Sequence, residues 1–165
     1  MFDRYQREIH YLRLSVTDLC NLRCRYCFYL DESAHRQTAC FGTMSETTLQ
    51  TLVRRAFAYA DGPVSFAFQG GEPLLAGKAF YRRVLALQKQ YNTRRLPVTN
   101  ALQTNGTCWT RNGSSLFAKV SFLVAISLDG PASLHDRYRV DTAGAATHAR
   151  ALAGSRDFEK ARCAV

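Results

Sequence analysis

The chain has 165 residues, of which 47% are hydrophobic and 21% charged. This composition excludes a disordered chain and suits a single domain. No apolar run approaches the roughly 18 residues that a membrane-spanning helix needs. Residues 1–10 are polar and contain no apolar signal region, so we expect a cytoplasmic protein. The net charge is +9, but the basic residues are scattered, so we expect neither a nucleic-acid nor a membrane partner.

Short apolar strands alternate with helical segments along the chain. In chain order the pattern predicts a strand over 11–17, a helix over 46–59 with Ser45 as N-cap, a strand over 64–68, a helix over 78–91, a strand over 96–103, a weaker helix over 110–119, a strand over 122–128, and a weakly helical tail from about residue 145. Such alternation favours an α/β fold with parallel strands joined by helices.

The unusual residues of the sequence follow the predicted strands. Cysteines come after the first strand, residues 70–73 after the second, 103–106 after the third, and 127–130 at the end of the fourth. Because ligands of parallel α/β sheets bind at the carboxyl ends of the strands, we expect these four segments to meet at one rim and form one site.

The cysteines are the most specific signal. Cys20, Cys24 and Cys27 have the spacing C-x3-C-x2-C, whereas the other three of the six are scattered singly, and we expect those to be incidental. In a chain without a signal peptide, such a cluster indicates metal or redox chemistry. Three thiolates could hold three irons of a [4Fe–4S] cluster and leave the fourth iron open. The alternatives are a zinc site completed by a distant Cys or His, and a disulfide with one free thiol.

The cysteine loop, with Tyr26 before its last cysteine, resembles that of the radical S-adenosylmethionine (radical SAM) superfamily, and Gly70–Pro73 resembles the superfamily's site for the methionyl amino group. The resemblance implies a partial parallel (β/α) barrel with about four of roughly six βα units. It also implies a [4Fe–4S] cluster on Cys20, Cys24 and Cys27 that reductively cleaves S-adenosylmethionine to a 5′-deoxyadenosyl radical.

Two subfamilies share features with the chain. Anaerobic sulfatase-maturating enzymes, which oxidise a sulfatase Cys or Ser to formylglycine, are similar to residues 28–30, 42–46, 66–73, 100–106, 127–131 and 135–139. The opening, residues 2–4 and 9–18, looks like GTP 3′,8-cyclase of molybdopterin synthesis, although Phe28-Tyr29 replaces that family's Met-Pro. The longer resemblance predicts a maturase. A cyclase, a non-catalytic Fe–S carrier and a zinc-binding module are the alternatives.

The maturase resemblance also implies roles for single residues. Tyr26 would contact the adenine, the loop Gly70, Gly71 and Glu72 the methionyl amino group, Ser127 the ribose or carboxylate region, and Arg139 the methionyl carboxylate. Tyr29 and Gln69 would contact the substrate. The implied partners are a sulfatase peptide and a low-potential electron donor such as ferredoxin or flavodoxin.

Two further expectations concern residues beside the predicted site. Positive charge on Arg23 and Arg25 should lower the pKa of the cluster thiols. His135 and Asp136 should cap the segment that follows them.

The maturases carry a C-terminal domain with auxiliary clusters and a catalytic Asp, for which the sequence shows no counterpart. We therefore expect residues 1–165 to form a truncated radical SAM core without maturase activity. Residues 108–115 stand where a Leu-Leu-Asp-x-Glu-Trp type helix start is expected. Because shifted reading frames near residues 108 and 160 permit the expected residues, we expect a damaged or misread gene. A deliberate fragment and natural divergence are the alternatives.

Overall fold

The computed structural model describes residues 4–7, 9, 11–109, 116–120 and 122–163. Its elements are β1 (Tyr11–Ser15), α1 (Phe28–His35), α2 (Glu46–Tyr59), β2 (Val64–Gln69), a 3₁₀ turn (Pro73–Ala76), α3 (Gly77–Tyr91), β3 (Val98–Thr104), β4 (Leu123–Ile126), α4 (Ala132–Tyr138) and α5 (His148–Cys163). The strands lie in the order β1-β2-β3-β4, and each pairs in parallel with its neighbour. The expected α/β class and the partial, open sheet are confirmed.

The predicted strands and long helices all form, with shifted ends. Two short helices, α1 and α4, were not predicted, because α1 buries no side chain and neither helix has a side-chain N-cap hydrogen bond. Most of the weaker helix predicted over 110–119 lies outside the described residues, and residues 116–119 are helical. None of the helices in the described ranges is long and apolar enough to cross a membrane.

One face of the sheet carries the core. Phe66 and Phe68 of the central strand β2 point to this face, where Leu14 and Leu102 are their neighbours by register. Helices α2 and α3 cover it, with buried apolar residues at helical spacing. Ser45 accepts a 3.1 Å hydrogen bond from Thr48 N, which confirms the predicted N-cap of α2. The residues that these helices bury are Leu49, Val53 and Phe57 from α2 and Tyr81, Val84 and Leu87 from α3.

The opposite face of the sheet is polar. Thr99 of β3 donates a 2.7 Å hydrogen bond to Ser65 of β2 on this face. Since side chains alternate along a strand, Gln69 and Gln103 project from the same face at the carboxyl ends of their strands. The polar face therefore leads to the rim where the site is expected.

Asp18, just after β1, holds the segment that follows α1. Its carboxylate accepts hydrogen bonds from Phe41 N at 2.7 Å, from Gly42 N at 2.9 Å and from the guanidinium of Arg36. Burial opposes ionisation, but these bonds, together with one from the Cys40 thiol, prevail and lower the pKa of Asp18 to about 2. The ionised carboxylate thus fixes the outer edge of the rim.

Acid should weaken the hydrogen bonds that Asp18 accepts. Because the folded pKa of Asp18, about 2, lies below its ordinary 3.8, its contribution is complete above that ordinary value and is lost as the pH falls towards 2. We expect Asp18→Asn to lower the unfolding midpoint at neutral pH and to flatten its decline in acid. Thermal unfolding of both proteins between pH 7 and pH 2.5 measures this, and parallel pH profiles would contradict it.

Helix α5 packs very close to the loop after β3. A Cβ added at Gly154 would lie 2.1 Å from the carbonyl oxygen of Gly106 and 3.1 Å from Trp109 Cβ. Gly106 itself has φ +74°, which favours glycine. The backbones of Gly154 and Gly106 therefore approach closely, which packs α5 against the loop after β3 beside the rim.

The sign of the change in the free energy of unfolding caused by Gly154→Ala tests this contact. In an ordinary helix interior the change stabilises by about 1 kcal/mol, but here the clash with a backbone carbonyl should prevail and destabilise by about 1–3 kcal/mol. Gly62→Ala is the matched control, because nothing lies within 4 Å of its added Cβ. Urea unfolding gives both values. A Gly154→Ala protein as stable as the Gly62→Ala protein would show that the close approach is absent.

Candidate functional site

The cysteine loop is held by a strand-like pairing with the segment after α4. Arg23 N donates to Val140 O at 2.8 Å, Arg25 N donates to Tyr138 O at 2.9 Å, and Leu22 bridges Asp141. Alternation along these antiparallel segments places Cys24 and Arg139 on the same side. Arg139 Nη1 accordingly lies 4.0 Å from Cys24 Sγ.

A cavity of about 200 Å³ opens at the carboxyl ends of the strands. Every predicted site residue except Glu72 lines it, namely Cys20, Cys24, Cys27, Tyr26, Tyr29, Gln69, Gly70, Gly71, Ser127 and Arg139. Gln103, Thr104 and Asn105 at the end of β3 line it too, so the four segments meet as expected. Their binding roles stay predictions. A larger hollow, of about 550 Å³, lies beside α2 and contains none of these residues.

The two glycines of the cavity make room for the cysteine loop itself. A Cβ on Gly70 would lie 2.2 Å from Thr17 O, and one on Gly71 would lie 2.3 Å from Leu19 O. Gly71 N also donates a 2.8 Å hydrogen bond to Thr17 O. The sequence reading ascribed these glycines to close approach of a cofactor, whereas the structure shows that backbone packing against the loop already requires them.

Glu72 lies behind the cavity, where its side chain bonds other groups of the protein, and its expected cofactor contact stays a prediction. Its side chain is fully buried and accepts hydrogen bonds from Leu74 N at 2.9 Å, Thr104 Oγ1 at 2.7 Å and Asn105 N at 2.8 Å. Through these bonds, the Glu72 carboxylate joins the end of β2 to the end of β3. Burial still outweighs them, and the pKa of Glu72 is raised above its ordinary value.

Asn105 extends this connection to the first cysteine, a contact that the sequence analysis did not predict. Its amide Nδ2 donates to Asn21 Oδ1 at 2.9 Å and lies 3.9 Å from Cys20 Sγ. Asn21 in turn donates to Thr107 at 2.8 Å, and Leu22 N lies 3.4 Å from the same sulfur. N–H groups around a thiolate stabilise its negative charge and would tune a bound cluster.

The expected effect of Arg23 and Arg25 on the thiols is wrong. Burial raises the pKa of Cys20 to about 11 and also raises the pKa of Cys24. The positive charge that opposes burial at Cys24 belongs to Arg139, because Arg23 and Arg25 are exposed on the other side of the loop. Iron binding would therefore have to displace these thiol protons.

The six cysteines are all free thiols, so no disulfide competes for the three in the loop. Within the described ranges, no three His, Cys, Asp or Glu side chains converge closely enough to hold a single metal ion.

The segment after β4 places an acidic group, Asp129, against two residues that line the cavity. Asp129 contacts both Tyr26, whose hydroxyl donates to its Oδ2, and Arg139, whose Nε lies 3.1 Å away. Asp136 instead accepts from Thr147 N and His148 N, both at 2.8 Å, and so caps α5 as expected. His135 does not cap the helix; it is buried beneath Asp129.

Comparison with known families agrees with this arrangement. The model of the radical SAM superfamily matches residues 14–163. The chain belongs to this superfamily. The match covers all four strands except the start of β1, together with the cysteine loop and the segment that carries Arg139.

The similar curated proteins include both types of sulfatase maturase. The cysteine-type anaerobic sulfatase-maturating enzyme of Clostridium novyi is 48% identical over 122 residues, which are 74% of this chain and 33% of the relative. The serine-type anaerobic sulfatase-maturating enzyme of Klebsiella aerogenes is 36% identical over 148 residues, which are 88% of this chain and 35% of the relative. The chain thus spans about a third of the length of these relatives.

Solved structures show the same likeness in three dimensions. The structure of native anSMEcpe with bound AdoMet and Cp18Cys peptide matches with a TM-score of 0.83 at 35% identity, over 92% of this chain and 40% of the other. A second structure, of native anSMEcpe with bound AdoMet, gives a TM-score of 0.83 at 36% identity and covers the same 92% of this chain. Radical SAM membership and homology to the anaerobic sulfatase-maturating enzymes, both expected from the motifs, are confirmed.

Proposed function

We propose that the cavity binds a [4Fe–4S] cluster through Cys20, Cys24 and Cys27 and binds S-adenosylmethionine beside it. The observation that carries this proposal is the arrangement of the three thiols, Gly71 and Arg139 around one cavity in a chain of the radical SAM superfamily. The function is then that of the S-adenosylmethionine-cleaving core of a radical SAM oxidoreductase of the sulfatase-maturating type, a family whose full-length members oxidise a sulfatase Cys or Ser to formylglycine.

The residues present fit these groups. The three cysteines are free and line the cavity. Arg139 lines it too, with Nε 3.1 Å from Asp129 Oδ2 and Nη1 4.0 Å from Cys24 Sγ. A guanidinium carries further N–H donors besides the one on Nε, and these suit a carboxylate ligand. When bound, the cluster supplies the electron that cleaves the sulfonium and yields a 5′-deoxyadenosyl radical.

The chain's own contribution is to bind, orient and exclude water. Backbone groups of Gly70 and Gly71 would receive the methionyl amino group, and Ser127 would contact the ribose or carboxylate region. Arg139 would pair with the carboxylate, and Tyr26 would lie against the adenine. These contacts hold the reacting bond in a fixed place, which is how proteins promote cofactor chemistry.

Substrate and partners follow from the relatives. Tyr29 and Gln69 line the same cavity and would contact the peptide, as a peptide is bound together with AdoMet in a similar solved structure. The proposed electron donor is a ferredoxin or flavodoxin, and the proposed location is the cytoplasm. Membership of the superfamily favours this function over a passive Fe–S carrier or a zinc module, and the maturase relatives favour it over the cyclase.

Cysteine replacements test the proposal. After anaerobic reconstitution with iron and sulfide, the unaltered chain should hold about four irons and form 5′-deoxyadenosine when dithionite and S-adenosylmethionine are added. Cys20→Ala, Cys24→Ala and Cys27→Ala should each abolish both properties. Iron and sulfide analysis and product chromatography provide the measurements.

Cys163→Ala is the matched control, because this thiol is exposed on α5. It should retain the iron content and the cleavage rate of the unaltered chain. Loss of the cluster in Cys163→Ala with full retention in Cys20→Ala would overturn the ligand assignment. A cluster that forms on all three loop cysteines but never cleaves S-adenosylmethionine would overturn the proposed function.

A further inference from the structure

Three side chains from separate segments meet beside the cavity, and two of them, Tyr26 and Arg139, line it. Tyr26 belongs to the cysteine loop, Asp129 follows β4, and Arg139 follows α4. The Tyr26 hydroxyl donates to Asp129 Oδ2, and Arg139 Nε lies 3.1 Å from the same oxygen. The guanidinium carbon of Arg139 is also 5.5 Å from the centre of the Tyr26 ring, a cation–π distance. One carboxylate oxygen thus joins the two side chains.

A buried hydrogen-bond chain supports this wall from behind. Asp129 N donates to His135 Nδ1 at 3.3 Å, which leaves Nε2 of a neutral imidazole to donate to Thr147 Oγ1 at 3.0 Å. Thr147 Oγ1 then donates to Arg139 O at 2.6 Å. His135 is only 1% exposed. The backbones that carry Asp129 and Arg139 are therefore fixed relative to each other.

The contact with Asp129 decides which edge of the guanidinium faces the cavity. Asp129 occupies the Nε edge, and Nη1 is directed to the cysteine loop, 4.0 Å from Cys24 Sγ. Arg139 Nε makes no aligned hydrogen bond among the described residues, so the pair is held by charge and proximity. With Nε beside Asp129, the Nη groups remain to donate to a carboxylate ligand in the cavity that Arg139 lines.

We propose that Asp129 is a positioning residue that holds Arg139 in the orientation that receives the carboxylate of S-adenosylmethionine, with the Tyr26 hydroxyl bonded to the same oxygen of Asp129. This inference rests on the proposed function and extends it. In the sequence Asp129 stands as a turn residue before Gly130. The structure instead gives its carboxylate two side-chain partners that both line the cavity.

Loss of the Asp129 charge would have two opposing effects. It would remove the negative charge beside Arg139, which favours binding of a carboxylate, but it would also let the guanidinium rotate out of the orientation that binds the carboxylate. Asp129, whose side chain is 29% exposed, is partly screened by water, so the charge effect is small. Loss of a partner that orients a metal ligand commonly costs about tenfold or more in metal affinity, and we expect an effect of about tenfold for a partner that orients Arg139. Orientation should therefore prevail.

Asp129→Asn tests the proposal, with Asp141→Asn as the matched control. Asp141 also pairs with an arginine, Arg150, at 2.8 Å, and an Asn oxygen could still accept from Ala143 N and Ala145 N. Binding is measured by equilibrium dialysis on the reconstituted chain, with S-adenosylmethionine and with its decarboxylated analogue. Asp129→Asn should weaken S-adenosylmethionine about tenfold and leave the analogue unchanged, while Asp141→Asn should change neither.

A merely structural role would weaken both ligands alike, so equal losses would overturn the proposal, as would unchanged or tighter binding of S-adenosylmethionine. In an Arg139→Ala background, Asp129→Asn should have no further effect, because the two act through one contact. Additive losses would contradict this.

A second variant covers the case in which Asp129→Asn takes up no iron. Tyr26→Phe removes one bond to the same carboxylate, and it should selectively weaken the binding of S-adenosylmethionine by about threefold. Absence of any binding to the unaltered chain would instead refute the proposed function.

Discussion

The turn formed by Gly70, Gly71 and Glu72 ties three strand ends into one rim, and the rest of the site depends on it. Its backbone donates from Gly71 N to Thr17 O and from Glu72 N to Leu19 O, both at 2.8 Å. Its carboxylate reaches across to the end of β3. The cysteine loop after β1 and the polar loop after β3 are therefore both positioned by three residues that follow β2.

Burial of the Glu72 carboxylate carries a desolvation penalty. Removal of a carboxylate from water costs several kcal/mol unless donors replace the water, and Glu72 receives three such donors. Its partner Asn105 continues to Asn21 and to the edge of Cys20. The geometry of the first cysteine is thus linked through side chains to a carboxylate that never touches the cavity.

The sequence predicts β2 well because it is a short, largely apolar run closed by a glycine turn, and it predicts the rim because parallel strands end together. It does not predict α1, whose side chains are all at least partly exposed, or the opposite sides taken by Arg23 and Cys24, which depend on pairing with a segment more than a hundred residues away. The Gly-Gly-Glu motif marks Glu72 as a candidate cofactor contact, whereas Asp129 is predicted only as part of the turn after the fourth strand. Only three-dimensional contacts show that one braces the strands and the other braces Arg139.

Amide hydrogen exchange of Glu72→Gln, compared with Glu46→Gln, measures the central linkage most directly. Gln offers an N–H₂ where the carboxylate accepts, so one buried donor loses its partner, whereas Glu46 lies at an exposed pair with Arg83. We predict faster exchange in Glu72→Gln both at residues 104–107 and in the loop at residues 17–24, with no change at either place in Glu46→Gln. Faster exchange confined to residues 72–76 would contradict the account, because the three strand ends would then be held independently.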